Sequence, residues 1–176
     1  MGTDDERVSA LRAVAHPVRL RILSLLTGTA MSAAEVAREL DLTHANASYH
    51  LRVLLDADEL VLDGEETIRG GVAKRYRYPH ERRGRHPRPG RTGHGDRVAW
   101  ARAVGVELER RIGSRRPRRP QQSSDLEGWV DPETWSRALA LLEEASMLLH
   151  DANRPPRTEG TVHVSLTAAA FEMEDA

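Results

Sequence analysis

The sequence predicts a mostly α-helical protein with one small β-hairpin, and three observations support this fold class. Apolar residues recur at the three- and four-residue spacing of helices up to about residue 57. Between residues 60 and 78 this spacing changes to the alternation of two short strands. From residue 96 onward helical spacing returns. The chain has 176 residues, which is enough for one ordinary domain or for a small domain with an extension.

The first two helices are predicted on either side of Pro17. Five apolar residues in this stretch have helical spacing: Leu11, Val14, Val18, Ile22 and Leu25. Proline lacks an N–H and restricts the residue before it, so it ends one helix and is tolerated in the first turn of the next. We therefore predict helices over about 6–15 and 17–27, with Gly28 ending the second.

The next two helices are predicted from their N-terminal caps. Ser32 and Glu35 have the spacing of a capping box, in which hydroxyl and carboxylate each satisfy a free N–H at the helix start. This third helix ends near Asp41. Thr43 can cap a fourth helix, over about 43–57. Its apolar face carries Ala47, Leu51, Leu54 and Leu55.

Two strands, at 60–62 and 73–78, follow the fourth helix, and the glycine-containing pairs between them are typical of turns. In the second strand the tyrosines share one face, whereas Arg75 and Arg77 share the other. Four helices followed by a hairpin with a basic outer face is the order of a winged helix-turn-helix. We assign this unit to residues 1–80.

Several stretches of this first unit resemble one protein family. Residues 11–26, LRAVAHPVRLRILSLL, are similar to the opening of ArsR/SmtB-type bacterial repressors, and so are residues 34–43. Residues 46–54 resemble the recognition helix of that family, and the resemblance covers about residues 8–79. It implies a cytoplasmic, dimeric, sequence-specific DNA-binding regulator, a repressor by preference, on a pseudo-palindromic double-stranded operator.

The residues expected to contact DNA lie on the recognition helix and on the wing. The second helix of a helix-turn-helix lies in the major groove, where its first residues reach base edges. The recognition-helix candidates are Thr43, His44, Ala45, Asn46, Ser48, Tyr49, His50 and Arg52. The candidates for phosphate contacts on the wing are Arg69, Lys74, Arg75 and Arg77. A solvated helix face is the alternative for each polar residue. The family's Ser-x-His-Leu pattern places His50 here, where it either contacts a phosphate or packs at the helix interface, and packing or a hydrogen bond is favoured over a base contact.

Acidic residues depart from the family's pattern at two places. Asp41 occupies the helix–helix turn where the family has glycine, and aspartate tolerates left-handed backbone better than most residues. Asp58 and Glu59 stand where the family has glycine and an apolar residue. The second departure leaves the register of the first wing strand open.

The composition argues against metal sensing and against catalysis. The chain has no cysteine, which excludes thiolate metal sites, and its histidines do not have metal-ligand spacing. It also has no glycine-rich phosphate loop and no nucleophile elbow. We therefore expect no metal, no cofactor and no enzymatic activity. No apolar run has the length of a membrane span.

Charge is segregated along the chain, although the formal net charge is only −1. Residues 1–80 carry 10 basic and 12 acidic residues, 81–120 carry 13 and 4, and 121–176 carry 3 and 11. Residues 81–95 are rich in Arg, Gly, Pro and His, so we predict a flexible linker. Within it Arg83-Gly-Arg-His-Pro resembles the AT-hook core, with a solvated linker as the alternative.

Residues 96–176 are predicted to form a helical dimerisation region with helices at about 96–114 and 132–151. The candidate dimer contacts are Val98, Ala101, Val104, Leu108, Trp135, Leu139, Leu142 and Leu149. Alternation over 161–173 predicts a terminal strand that can pair across the dimer, although Ala168–Ala170 are also compatible with helix.

The function of this extension is open at the sequence level. Its large side chains either form the core and dimer contacts or line a pocket for a small-molecule effector; these are Trp100, Trp129, Trp135, Met147 and Phe171. The alternative to a DNA-binding regulator is a winged helix that serves as a protein–protein interaction module, with the acidic residues 121–176 as its partner surface.

Overall fold

The computed structural model describes residues 10–68, 71–81 and 93–174. In chain order these residues form α1 (Ala10–Val14), α2 (Pro17–Leu26), β1 (Met31–Ser32), α3 (Ala33–Leu40), α4 (His44–Asp56), β2 (Val61–Ile68), β3 (Gly71–Arg77), α5 (His94–Gly113) and α6 (Pro132–Ala152). The strands form one antiparallel sheet in the order β1-β3-β2. The predicted fold class, mostly helical with a small β-wing, is confirmed.

The starts of α3 and α4 that the caps predict are confirmed, and so is the start of α2 at Pro17. His16 caps α2, and its Nδ1 accepts a hydrogen bond of 3.2 Å from the Val18 N–H. Ser32 and Glu35 form the capping box of α3, with the Ser32 N–H donating to Glu35 Oε2 at 2.7 Å. The Asn46 N–H donates to Thr43 Oγ1 at 3.2 Å at the start of α4. Each cap depends on residues no more than three positions apart, which is why the sequence alone locates it.

Both acidic departures adopt left-handed backbone. Asp41 ends α3 with φ 54° and ψ 54°, and its N–H donates to the Ala37 carbonyl. Asp58 has φ 58°, so it takes the conformation expected of a glycine after the recognition helix. The structure also defines the register of the first wing strand. Val61 lies opposite Arg77, and Leu62 lies opposite Tyr76.

The wing is longer than predicted. The predicted turn pair Asp63-Gly64 lies at a register shift between Leu62 and Glu65, where Gly64 has φ 99°. Beyond it the ladder continues to Ile68 opposite Gly71. The sequence underestimates β2 because most of its side chains are polar and exposed, so they lack the alternation of a half-buried strand. The short strand β1 was not predicted, since it is defined only by its pairing with β3.

One apolar core holds this first unit together. Its fully buried side chains come from α2, α3, α4 and the residue before β2: Ile22, Leu26, Val36, Leu51, Leu54 and Leu60. Tyr78 follows β3, is buried against the same core, and donates its N–H to the Leu26 carbonyl at 3.1 Å. The wing is thereby attached to the end of α2.

Helix α5 packs on α1 and α2, whereas α6 has no extensive contact with another described helix or strand. Packing of α5 buries Ala103 and Glu107, and Glu107 pairs with Arg110 at 2.8 Å. The 21 residues of α6 include no buried side chain. The central residues of the predicted linker, 82–92, lie outside the described residues.

The predicted terminal strand at 161–173 is wrong for the single chain. Residues 153–174 contain no helix or strand. The alternating pattern is present, but no strand within the described residues pairs with it. A period of two favours extended backbone but does not itself provide a pairing partner. None of the helices in the described part of the chain has the length and apolar character of a membrane span.

Candidate nucleic-acid interface

Helix α4 presents one polar face to solvent and one apolar face to the core. Its apolar residues Ala47, Leu51 and Leu54 are fully buried, which fixes the helix against α2 and α3. The opposite face carries the predicted contact residues. Thr43, His44, Ala45, Asn46 and Arg52 are exposed there, Tyr49 is 55% exposed and Ser48 is half-buried. The structure thus brings all the recognition-helix candidates except His50 onto one surface.

His50 does not belong to this surface. Its side chain is only 7% exposed, and its Nδ1 has no hydrogen-bond partner among the described residues. His50 therefore packs inside the domain, which is the interpretation that the sequence favours over a base contact, and we leave it out of the proposed DNA contacts. The helical phase gives the reason, since His50 lies between buried Ala47 and Leu54, at spacings of three and four residues.

His50 packs against His16 at the junction of α2 and α4. The two ring centroids are 4.8 Å apart, and Tyr49 lies edge-on to His50 at 5.2 Å. Burial lowers the pKa of His50, and His16 and Arg19 lower it further. Burial also lowers the pKa of His16, with Arg19 again adding to the effect. Both rings are therefore held in the neutral form near neutral pH.

Arg19 ties this junction to α1. Its side chain donates hydrogen bonds to the Ala13 carbonyl and, at 3.3 Å, to the Arg12 carbonyl. Cations are favourable at the C-terminal end of a helix because the last carbonyls there lack intrahelical donors. The recognition helix, α2 and the end of α1 are thus joined by three adjacent side chains: His50, His16 and Arg19.

The two wing arginines predicted to contact phosphates form ion pairs and hydrogen bonds with other residues of the same chain. Arg75 donates to Glu66 at 2.8 Å, to Glu35 at 3.2 Å and to the Ala30 carbonyl at 2.5 Å. Arg77 pairs with Glu81 at 2.9 Å, and its Nε lies 3.7 Å from an Asp63 oxygen. The acidic residues of β2 gave a signal for this pairing, because neighbouring antiparallel strands bring opposite charges together.

The other two candidates for phosphate contacts on the wing are Lys74 and Arg69. Lys74 is exposed and lies opposite Glu65 in the ladder. Arg69 lies outside the described residues. Lys74 is consequently the wing cation that the described residues leave accessible for a phosphate.

Arg75 also affects the capping box of α3. Burial raises the pKa of Glu35, but hydrogen bonds from Ser32 together with the nearby Arg75 and Arg38 outweigh burial, so the pKa lies below its ordinary value. Glu35 is therefore ionised and joins the start of α3 to the wing. This connection was missed from the sequence because Glu35 and Arg75 are 40 positions apart.

The candidate dimer contacts are divided between two surfaces. On α5, Val98 and Val104 are half-buried, whereas Ala101 is exposed and Leu108 is 41% exposed. On α6, Trp135 is half-buried, and the three leucines at 139, 142 and 149 are 38%, 41% and 39% exposed. The α6 residues thus form an apolar stripe that the single chain leaves partly exposed to solvent.

The fold and the exposed α4 face define a winged helix-turn-helix protein. A family model described as a helix-turn-helix domain matches residues 14–61, which span α2, α3 and α4. The chain is also 36% identical over 70 residues to an uncharacterised HTH-type transcriptional regulator of Methanocaldococcus jannaschii. That match covers 38% of this chain and 74% of the relative. The chain belongs to the family of HTH-type transcriptional regulators.

Proposed function

We propose that this protein is a sequence-specific DNA-binding repressor that acts as a dimer, with α4 of each protomer in the major groove of one half-site. The exposed first turns of α4 carry this proposal. They combine amide, hydroxyl, methyl, phenol and guanidinium groups on one helix whose opposite face is locked into the core. Such a helix enters the major groove of B-DNA with its N-terminal residues toward the bases.

Five side chains on this face and one on the wing have distinct roles in DNA reading. Asn46 suits the paired donor and acceptor of adenine, and Arg52 suits guanine. The methyl groups of Thr43 and Ala45 suit the thymine methyl. Tyr49 and Lys74 serve as phosphate contacts that fix the register. Arg75 and Arg77 take no part in binding because they are engaged in ion pairs.

Two protomers are needed because a helix-turn-helix reads one half-site. Two-fold symmetry places two copies of α4 on a pseudo-palindromic operator. The apolar stripe of α6 and the outer face of α5 supply the surface between protomers. As a cytoplasmic regulator without catalytic activity, the protein responds to its signal, including any small-molecule effector, through a change in the spacing of the two recognition helices.

A protein-interaction module is the second candidate, and one observation favours it. The first 80 residues have two more acidic than basic residues, and acidic neighbours already neutralise Arg75 and Arg77. A surface of this charge attracts the DNA backbone weakly. Under this alternative the α4 face contacts another protein, and DNA affinity is weak and independent of sequence.

Selection of random double-stranded oligonucleotides with the full chain tests the proposal. We expect an enriched motif with two related half-sites. On the selected site, Arg52→Ala combined with Tyr49→Ala is expected to lose about 1–3 kcal/mol per half-site in a mobility-shift assay. Arg137→Ala is the matched control, since Arg137 is exposed on α6 and its loss leaves affinity unchanged.

The outcomes separate the two candidates. A selection without enrichment, or a double variant that binds as well as the wild type, contradicts DNA reading by α4. Enrichment with one unpaired half-site contradicts the dimer. Transcription in vitro from a promoter overlapping the selected site then tests repression, which requires a fall in transcript with added protein.

A further inference from the structure

We propose that residues 161–171 are an arm that pairs as an antiparallel β-strand with the same residues of a second copy of this chain. The proposal rests on the proposed dimer and specifies the contact that joins its two protomers. Four observations support it: the arm has a fixed base, an open apolar face, an open backbone edge and no charge.

The base of the arm is fixed on the helix-turn-helix unit. The backbone of Asn153 and Arg154 passes so close to Gly28 that a Cβ placed there would lie 3.0 Å from it. Arg157 then pairs with Glu39 of α3 at 2.5 Å. The following turn is closed by hydrogen bonds from the Thr158 N–H to the Pro155 carbonyl at 3.2 Å and from the Thr161 N–H to the Thr158 carbonyl at 3.3 Å. The arm therefore leaves the domain in a defined direction.

The two faces of the arm have different surroundings. In a strand successive side chains point to opposite sides, so the paired arm places Thr167 on one side and Val162, Val164 and Leu166 on the other. On one side Thr167 accepts a hydrogen bond of 3.4 Å from Arg111 of α5. On the other side Val162, Val164 and Leu166 are 76%, 58% and 44% exposed. Each chain thus leaves an apolar face of strand-like spacing uncovered.

The backbone of the arm is also open. No strand in the described part of the chain pairs with it, and residues 161–171 contain no proline. Exposed strand edges are usually protected from pairing by lysine, proline or inward-pointing charge. The arm has none of these, which is the expected composition of a strand that is paired in the functional protein.

The distribution of charge favours a copy of the arm as the second strand. Residues 121–176 carry 11 acidic and 3 basic residues, yet 161–171 contain no Asp, Glu, Lys or Arg. Like charges opposite each other destabilise a sheet. The uncharged arm is therefore a place where two such acidic segments can approach without repulsion, and a two-fold axis pairs it with itself.

The two-fold axis restricts the register of this pair. Directly opposite residues of antiparallel strands point to the same face. The apolar faces of both copies coincide only if even-numbered residues lie opposite even-numbered ones. This requires the two-fold axis to pass between one residue and its own copy, rather than between two successive residues. With Val164 at the axis, for example, Val162 of each copy lies opposite Leu166 of the other. One residue of the arm must therefore face its own copy.

A single-cysteine scan tests this geometry, because the natural chain contains no cysteine. Each residue from 162 to 167 is replaced by cysteine in the full chain, and disulfide formation is followed after mild oxidation. We expect one position to cross-link strongly, since only the residue at the axis faces itself at a Cα separation of about 4.5–5.5 Å. Its neighbours lie beyond the roughly 7 Å that a disulfide spans. Ser24→Cys, on the exposed side of α2, is the control and should not cross-link.

A proline variant tests the same contact without cross-linking. Only alternate residues of an antiparallel strand donate to the partner strand, so Val164→Pro and Ser165→Pro are compared. The variant that removes a ladder donor should raise the dimer dissociation constant at least about tenfold in sedimentation or light scattering. Ser123→Pro is the control, because it introduces proline into an exposed loop that already contains Pro117 and Pro120. All three variants should keep the wild-type melting temperature of the helix-turn-helix unit.

The outcomes distinguish this proposal from the proposed function. A dimer that cross-links at no position, or that persists unchanged in both Val164→Pro and Ser165→Pro, overturns the arm but leaves a DNA-binding dimer intact. A chain that is monomeric at every accessible concentration also overturns it. Cross-linking at one position in a protein that selects no DNA motif supports the arm and contradicts the proposed function.

Discussion

The stacked histidines connect the DNA-facing helix to the remainder of the domain. His50 belongs to α4, His16 caps α2, and their centroids are 4.8 Å apart. His16 Nδ1 can accept the Val18 N–H only while that nitrogen is unprotonated. Protonation adds a cation near Arg19, either on the buried His50 or on the half-buried His16. The neutral pair is therefore part of what positions the recognition helix.

This pair makes the stability of the domain dependent on pH. Both histidines have a pKa below 6.5 in the folded protein, so the unfolded chain binds more protons as the pH falls below 6.5. We expect the unfolding free energy to be highest above pH 6.5 and to decline as the pH falls below it. Urea unfolding between about pH 5 and pH 8 measures this decline.

Variants of single histidines show whether the His16–His50 pair is responsible for the pH dependence of stability. His50→Leu should reduce the slope of stability against pH below 6.5, because one of the two shifted groups is lost and the other loses a neighbouring ring. His44→Leu, at an exposed position of the same helix, should leave the slope unchanged. Equal slopes in the wild type and His50→Leu would show that the pair does not titrate in this range.

Arg75 braces the wing against the start of α3. It joins the wing to Glu35 and to the Ala30 carbonyl. Arg75→Ala should lower the unfolding free energy by about 1 kcal/mol, since it leaves a carbonyl and a carboxylate without their donor. Arg77→Ala, whose partners are more exposed, should lower it by less than about 0.5 kcal/mol. Urea unfolding of both variants makes the comparison, and equal losses would contradict this distinction.

Among the secondary-structure elements, the two helix ends at Asp41 and Asp58 are strained. Both residues have positive φ, at 54° and 58°, which glycine adopts without a Cβ clash. Asp41→Gly and Asp58→Gly should each raise the unfolding free energy by about 0.5–1 kcal/mol. Ser24→Gly, within α2, should lower it instead, by about 0.5 kcal/mol. Thermal and urea unfolding show whether each variant raises or lowers the unfolding free energy. A lower unfolding free energy in Asp41→Gly would mean that the Asp41 side chain stabilises the fold by more than the backbone strain costs.

Local features of the sequence predict most of the helices and the exposed polar face of α4. The caps at Ser32 and Thr43 depend on neighbouring residues, so they were found without the fold. The partners of Arg75 and the short strand β1 depend on residues that the fold brings together from distant positions. Helical phase was sufficient to indicate burial of His50, but the resemblance placed it among the DNA contacts. For the terminal strand, the alternating pattern predicts a strand, but a strand also requires a pairing partner, and the described part of the chain provides none.

For the protein as a whole, segregation of charge determines how steeply DNA binding depends on salt. With Arg75 and Arg77 neutralised, few cations of the described domain are free to displace counterions, and Lys74 is one of them. In a dimer, Lys74→Ala should therefore reduce the slope of log affinity against log salt by about two, one for each protomer. Arg77→Ala removes the same formal charge but should leave that slope nearly unchanged, because Glu81 already compensates it. Fluorescence anisotropy over a salt series on the selected operator measures both slopes. An equal decrease in both variants would mean that DNA displaces the Glu81 pair and recruits Arg77 to a phosphate.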